Sequence, residues 1–151
     1  MTSFERGEPK VRIRPMEHED VDSVLAIDRK ITGRRRALTY TELITGDLGG
    51  VLTLSLVAEV DGQVAGFILA RRVYVGEPSA EAGLIQILGV DPDYQRRGIA
   101  TKMVNALLDS CRAKKLKAVR LMINERDSQL VGLFEHVGFR RGELIDYTKT
   151  L

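Results

Sequence analysis

Cysteine and histidine are both scarce in this sequence. Among 151 residues there is one cysteine, Cys111, and there are two histidines, His18 and His136. A single cysteine excludes an internal disulfide, and these three residues lack the ligand spacing of a zinc site. We therefore expect neither a disulfide framework nor metal chemistry.

Long apolar runs and a strong excess of one charge are also missing. The longest apolar run, around residues 51–58, is far too short to span a bilayer, and the polar first ten residues lack the apolar segment of a secretory signal. The net charge is only +2, and few aromatic residues lie among the scattered basic ones. We expect a cytoplasmic protein that binds neither membranes nor nucleic acid.

What the sequence does contain is enough apolar material for one domain. The hydrophobic fraction is 44%, and residues 1–151 are predicted to form a single domain. Apolar periodicity predicts the order β-α-α-β-β-β-α-β-α-β, an α/β fold with a mixed sheet and helices on both faces. An Asp-Gly pair at 61–62 predicts a type I′ hairpin turn. The predicted strands are 11–16, 52–60, 64–75, 81–90, 118–123 and 144–149, and the helices are 17–30, 39–48, 99–115 and 127–138.

The strand at 81–90 leads through a basic turn directly into a helix. Arg96 and Arg97 supply positive charge, and Gly98 allows a ligand to approach the backbone closely. The free N–H groups and the positive dipole end of a helix N-terminus bind anions. The stretch lacks the spacing of a Walker loop, and the glycines at 46–50 precede a strand rather than a helix, so neither is a nucleotide fingerprint. The turn is therefore a candidate phosphate site.

Two segments resemble signatures of the GNAT superfamily of N-acetyltransferases. Residues 95–100, Gln-Arg-Arg-Gly-Ile-Ala, resemble Gln/Arg-x-x-Gly-x-Gly/Ala, and residues 133–139 resemble Leu-Tyr-x-x-x-Gly-Phe. The opening strand, 11–15, fits the same pattern. The resemblance implies a mixed, mostly antiparallel central sheet and acetyl-CoA as cofactor. It also implies direct attack on acetyl-CoA by a primary amine of a small molecule, or of a protein N-terminus or lysine.

The resemblance assigns coenzyme contacts residue by residue. Backbone N–H groups from Arg96 to Thr101 would hold the pyrophosphate, and the backbone of residues 88–90 would pair with the pantetheine arm like an added strand. One of these N–H groups would polarise the thioester carbonyl. The coenzyme-binding residues expected in this way are Leu88, Gly89, Val90, Gln95, Arg96, Arg97, Gly98, Ile99, Ala100, Thr101, Asn124, Asp127 and Phe134.

Three of these positions depart from the family pattern or have a second interpretation. Phe134 stands where the family often has the tyrosine that protonates the departing thiolate, and it is expected to pack on Phe139 and the coenzyme arm. The loss of this acid would lower the rate by at most about 10² to 10⁴. Asp127 stands where the family has asparagine, and it caps the following helix. Asn124 either contacts the pantetheine amides or ends its strand as a turn residue.

The catalytic candidates each have a structural alternative. Glu81, on the strand before the turn, is either the base that deprotonates the amine or a solvated residue. Tyr147 is either a proton donor or a strand aromatic. The amide of Gln86 is hydrogen-bonded either in the core or to substrate, and the arginines at 34–36 either attract an acidic acceptor or lie in a solvated loop.

Two functional classes and one assembly follow from these features. The leading hypothesis is an acetyl-CoA-dependent N-acetyltransferase. The alternative is a non-catalytic acyl-CoA-binding or regulatory domain of the same fold, because Phe134 stands where the family often has its acid tyrosine. The short C-terminal region offers little chain to complete the sheet. We therefore expect a homodimer that covers this edge.

Overall fold

The computed structural model describes residues 10–33, 42, 45–46, 48–76 and 81–151. Short 3-10 turns at His18–Asp20 and Pro92–Tyr94 precede the first two long helices. Among the described residues, no helix combines the length and apolarity needed to cross a membrane. The strands and helices are β1 (Val11–Pro15), α1 (Val21–Thr32), β2 (Leu56–Val60), β3 (Gln63–Tyr74), β4 (Glu81–Val90), α2 (Ile99–Ala113), β5 (Val119–Leu121) and α3 (Ser128–His136).

The strands form one sheet in the order β1-β2-β3-β4-β5. The first four strands pair antiparallel, and β5 runs parallel to β4. The predicted mixed, mostly antiparallel sheet is confirmed. The hairpin between β2 and β3 is confirmed as well, because Asp61 and Gly62 have φ angles of 52° and 81°, the two positive values of a type I′ turn.

Helices cover both faces of the sheet, as predicted. On one face, α1 packs Val24 and Ile27 against Phe67 and Leu69 of β3. On the other face, the larger core cluster joins α2 and α3 to the sheet, and its fully buried members include Ile68, Met103, Val104 and Leu107. Buried residues on α2 recur every three or four positions, which is the spacing of one helix face.

The end of α3 also follows the sequence prediction. Gly138 has a φ of 102°, and the N–H of Phe139 donates to the carbonyl of Phe134 at 2.9 Å. The two aromatic rings meet edge to face with centroids 5.2 Å apart. This is the hydrophobic contact of a Schellman ending, and it fixes the direction in which the chain leaves the helix.

One predicted strand is wrong, and another predicted element lies mostly outside the described residues. Residues 144–149 form no strand, and Ile145 and Tyr147 are 73% and 88% exposed. The alternating pattern is suited to a strand, but strand structure requires a paired neighbour and this segment has none within the described chain. The helix predicted at 39–48 falls largely outside the described residues, and the arginines at 34–36 fall entirely outside them.

Candidate functional site

The pairing between β4 and β5 is short. The two strands pair at only three positions, ending at Ile85 and Leu121. Against β3, Ile85 pairs with Ala70 and Ile87 with Leu69, so Gln86 is the extra residue of a β-bulge. A bulge bends its strand and increases the local twist. From Gln86 onward, the outer backbone edge of β4 has no strand partner among the described residues, and we call the space beside it the cleft.

Gln86 itself is exposed. This position excludes the alternative in which its amide is buried in the core, and it leaves the side chain accessible at the point where the strands part. The apolar run of β4 concealed this feature, because nothing in the sequence marks one residue of a continuous strand as a bulge.

The turn after β4 is held in place by Asp91, which is only 8% exposed. Its N–H donates to the carbonyl of Ala65 at 2.8 Å, and its Oδ1 accepts from the N–H of Asp93 at 2.9 Å. Lys30, on α1, places its Nζ 3.0 Å from Asp91 and 3.2 Å from Asp93. Hydrogen bonding to these two carboxylates raises the pKa of Lys30. The turn is thereby tied to β3 and to α1.

The second half of the turn presents backbone donors. Arg96 and Gly98 have φ angles of 65° and 77°, which bring the chain sharply into α2. The first N–H of the helix to reach an acceptor four residues back is that of Lys102, 3.0 Å from the carbonyl of Gly98. Glycine has no side chain to cap the helix, so the N–H groups of Ile99, Ala100 and Thr101 point out of its N-terminus. These groups are the hydrogen-bond donors that the predicted anion site requires.

Side chains around the turn add charge and stiffness. Arg96 and Arg97 are exposed, and the guanidinium of Arg97 lies 5.4 Å from the centre of the Tyr94 ring. The side-chain amide of Gln95 donates to the carbonyl of Val90 at 3.1 Å and so joins the start of the turn to its middle. Residues 88–90 and 95–101, predicted from sequence to bind the coenzyme, thus follow one another along the end of β4, the turn and the start of α2.

Gly89 has a packing role that the sequence did not reveal. A Cβ atom at this position would lie 2.7 Å from the ring of Phe67 and 3.1 Å from the side chain of Ile31. Any side chain here would push α1 and β3 away from β4. Packing on the face of the sheet opposite α2 therefore requires glycine at position 89. This requirement is independent of any ligand that the backbone of Gly89 binds.

The coenzyme candidates that follow β5, namely Asn124, Asp127 and Phe134, have structural roles. The Oδ1 of Asn124 accepts from the N–H of Arg126 at 2.9 Å, as expected of the turn-residue alternative. The Oδ1 of Asp127 accepts from the N–H of Leu130 at 3.1 Å, which confirms the helix cap. Phe134 is 2% exposed and packs on Phe139.

The two catalytic candidates are not brought to the cleft. Glu81 lies at the far end of β4, with a carboxylate oxygen 3.9 Å from Arg72 and a side chain 62% exposed. It lies five positions along the strand from Gln86, which corresponds to about 16 Å. Tyr147 lies on the exposed segment where the predicted strand does not form.

The sequence left Lys30, beside the turn, and Cys111, near the far end of α2, without a role. Lys30 gave no signal in the sequence because its partners lie 61 and 63 positions away. Cys111, on α2, is 2% exposed, and burial raises the pKa of its thiol. A buried neutral thiol is a poor nucleophile, because the thiolate is the reactive form.

Comparisons with known proteins agree with this geometry. The model of the acetyltransferase (GNAT) family matches residues 24–139. Aminoglycoside N-acetyltransferase AAC(6')-Iy, solved with CoA, superposes with a TM-score of 0.82 at 14% identity over 96% of this chain and 97% of its own. A ribosomal-protein-alanine N-acetyltransferase from Brucella melitensis biovar Abortus 2308 gives a TM-score of 0.75 at 19% identity over 94% of this chain and 99% of its own.

At these identities the structural likeness establishes the fold, and the family match establishes membership. The expected cofactor is consistent with the open edge of β4 and the free N–H groups at the start of α2. The chain belongs to the GNAT family of acetyltransferases and uses acetyl-CoA as its acyl donor.

Proposed function

We propose that this protein transfers the acetyl group of acetyl-CoA to a primary amine of a small molecule, or of a protein N-terminus or lysine, by direct attack within a ternary complex. The observation that carries this proposal is that β4, beyond its last pair with β5 at Ile85, leads through a basic turn to the N-terminus of α2, which no side chain caps. This stretch offers hydrogen-bond donors and acceptors along the strand and an anion site at its end.

The chemistry of this stretch matches the two ends of the coenzyme. An extended pantetheine arm with amide groups suits a strand edge, and the backbone of Leu88, Gly89 and Val90 supplies it. A pyrophosphate suits the N–H groups of residues 99–101 beside Arg96 and Arg97. Acetyl-CoA, when bound, supplies an acyl group already activated as a thioester.

Direct attack is supported by the position of the only cysteine. Cys111 is buried on the core face of α2, and burial raises the pKa of its thiol, so it is unsuited to carry an acyl group. The protein then contributes by holding the acceptor amine against the thioester of acetyl-CoA. Such positioning substantially lowers the activation barrier of the transfer.

Proton transfer is assigned to solvent. Phe134 has no hydroxyl, Glu81 lies about 16 Å along the strand from the bulge, and Tyr147 lies on an unpaired segment. A thiol with a pKa of about 8.5 leaves without strong acid assistance near neutral pH. Glu81→Gln should therefore change turnover less than twofold, whereas a fall of about 100-fold would restore Glu81 as the base.

Two acceptor classes are tested together, because the structural relatives act on different ones. One is an aminoglycoside N-acetyltransferase and another is a ribosomal-protein-alanine N-acetyltransferase. The proposed working unit is a cytoplasmic homodimer of one-domain chains, residues 1–151. Large apolar side chains exposed after residue 143 support the dimer.

The experiment measures release of free thiol from acetyl-CoA over a panel of aminoglycosides, polyamines, amino acids and peptides with free N-termini or lysines. Direct attack predicts initial-rate lines that intersect when both substrates are varied, and a Cys111→Ala variant that keeps its turnover. Parallel lines would indicate a covalent acyl-enzyme. Tight acetyl-CoA binding without thiol release over the whole panel would instead support the non-catalytic alternative.

A further inference from the structure

Two arginines flank one leucine on the face of the sheet that carries α1. Leu69 of β3 packs against α1, and Arg71, two residues further along the same strand, lies on the same face. Arg71 pairs with Leu84 of β4, and Leu84 pairs in turn with Arg120 of β5. Side chains of directly paired residues lie side by side on one face, so the two arginines stand about 10 Å apart with Leu84 between them.

The charges of this arginine pair, Arg71 and Arg120, are not balanced within the described part of the chain. Both side chains are half-buried, and neither guanidinium forms a hydrogen bond or an ion pair with a described residue. The Nε of Arg120 is buried. Taking a charged donor out of water without a partner costs free energy, so folded proteins seldom leave one unpaired. The arginine pair therefore indicates an anionic ligand.

Arg72, the next residue of β3, lies on the opposite face and differs from the arginine pair. Its Nε is also buried without a hydrogen-bond partner. A terminal nitrogen of its guanidinium, however, lies 3.4 Å from the carbonyl oxygen of Lys114 and 3.9 Å from a carboxylate oxygen of Glu81. The charge of Arg72 is thus balanced by the protein itself, which makes this residue a matched control for Arg71.

The α1 face is also the face from which an acceptor can reach the thioester, a step that rests on the proposed function. With the pantetheine arm along the edge of β4, from Val90 back to Gln86, the thioester lies beside Gln86, where the pairing with β5 has ended. On the α2 face, Ile85 is only 5% exposed and belongs to the larger core cluster. On the α1 face, Leu84 belongs to neither core cluster of the described residues, and Gln86 is exposed. The acceptor therefore approaches over Leu84, between the two arginines.

We propose that the acceptor is a small amine that carries a carboxylate, and that Arg71 and Arg120 bind this carboxylate over Leu84 while the amine faces the thioester. A guanidinium group matches a carboxylate in shape and can donate two parallel hydrogen bonds to it. Leu84 and Gln86 are two positions apart on β4, so the carboxylate and the amine of the acceptor lie about 7 Å from each other. An extended ω-amino acid with about four or five methylene groups spans this distance.

The arginine pair positions the acceptor and takes no part in the bonds that change. The neutral amine nitrogen forms a bond to the acetyl carbonyl carbon, the carbon–sulfur bond breaks, and one amine proton passes through solvent to the departing sulfur. The products are an amide and the free thiol of CoA. Binding of the carboxylate holds the amine at the thioester, and this positioning lowers the barrier.

The first test measures kcat/KM for thiol release with a series of ω-amino acids and with the n-alkylamines of equal chain length, which lack the carboxylate. In the wild type, 5-aminopentanoate or 6-aminohexanoate should exceed its matched alkylamine by about 10- to 100-fold, and shorter ω-amino acids should do so less. Arg71→Gln and Arg120→Gln should each lower this ratio about tenfold, mainly through KM, whereas Arg72→Gln should keep it. A ratio near one in the wild type, or an equal loss in Arg72→Gln, would overturn the inference. Absence of thiol release with every amine would instead count against the proposed function.

The second test needs no turnover and keeps both arginines. Leu84→Glu places a carboxylate between them, and Leu84→Gln places a neutral side chain of nearly the same size there. The new carboxylate should pair with the two guanidinium groups, so Leu84→Glu should melt about 2 to 4 °C above Leu84→Gln at neutral pH. Pairing lowers the pKa of the new carboxyl group, so the difference should disappear as the pH falls through that lowered value. Equal melting temperatures at neutral pH would show that the arginine pair does not bind a carboxylate and would refute the inference.

Discussion

The two strands that border the cleft are supported very differently. The ten residues of β4 pair with β3 along most of their length, and the turn that follows is tied to β3 and α1 through Asp91. The three residues of β5 are only half buried, and they pair on one side alone. The strand and turn proposed to hold the coenzyme are thus fixed by contacts within the chain, whereas β5 has an unpaired outer edge among the described residues.

The largest expected effect is a loss of acetyl-CoA affinity when the turn before α2 is changed. Gly98→Glu places a negative charge at the anion site and forces a side chain onto a φ of 77°. We expect the dissociation constant of acetyl-CoA, measured by calorimetry, to rise about 100-fold or more, equivalent to about 2.7 kcal/mol.

Gly76→Glu is the matched control for this variant. Gly76 has a φ of 78° with open space around it, so the same charge and a similar backbone strain are introduced just after β3 ends, away from the turn. It should lose stability comparably and bind acetyl-CoA normally. Equal affinity in both variants would remove the turn from the coenzyme site.

Local turn conformations, including that of the turn after β4, were the easier features to predict from sequence. Gly98, Asp61-Gly62 and Gly138 mark local backbone conformations, and local conformation depends on residues close in the chain. The bulge at Gln86 and the contacts of Lys30 depend on strand register and on residues distant in sequence, which no local pattern records. The strand predicted at 144–149 failed for the same reason, because its pattern specifies a strand but not the neighbour that would pair with it.

A second prediction concerns how closely α1 and β3 approach β4. Gly89→Ala puts a Cβ 2.7 Å from the ring of Phe67, and this overpacking should lower the free energy of unfolding by about 2 kcal/mol in urea denaturation. Gly132→Ala is the control, since no atom lies within 4 Å of its added methyl and α3 should gain up to about 1 kcal/mol. Equal stability of the two variants would contradict the packing role of Gly89.

A third prediction concerns the pH dependence of stability near β1. Arg14 donates to the carboxylate of Asp20 at 2.7 and 2.8 Å, and these hydrogen bonds lower the pKa of Asp20. A lowered pKa stabilises the fold above the ordinary carboxyl pKa, and this stabilisation is lost as the pH falls through the lowered value. Asp20→Asn should therefore reduce stability by about 1.5 kcal/mol at neutral pH.

The difference between wild type and Asp20→Asn should shrink below about pH 4, as followed by thermal melts across pH. Asp22→Asn, on the exposed side of the first turn of α1, should change stability by less than about 0.5 kcal/mol at neutral pH. If the Asp20→Asn difference stayed constant from neutral pH to pH 3, the ion pair would not be its cause.

The smallest expected effect tests whether α1 steadies the coenzyme turn. Lys30 bridges Asp91 and Asp93 from a half-exposed position, and pairs of this kind contribute little to overall stability. Lys30→Met should therefore leave the melting temperature nearly unchanged. It frees two carboxylates near the anion site, so the KM for acetyl-CoA should rise by about two- to fivefold at low salt with kcat unaltered. Arg29→Met removes the same charge one position earlier and should leave KM unchanged. Because added salt screens the two carboxylates, the difference in KM between the two variants should disappear in high salt. A fall in kcat for Lys30→Met would instead mean that Lys30 acts on the acceptor.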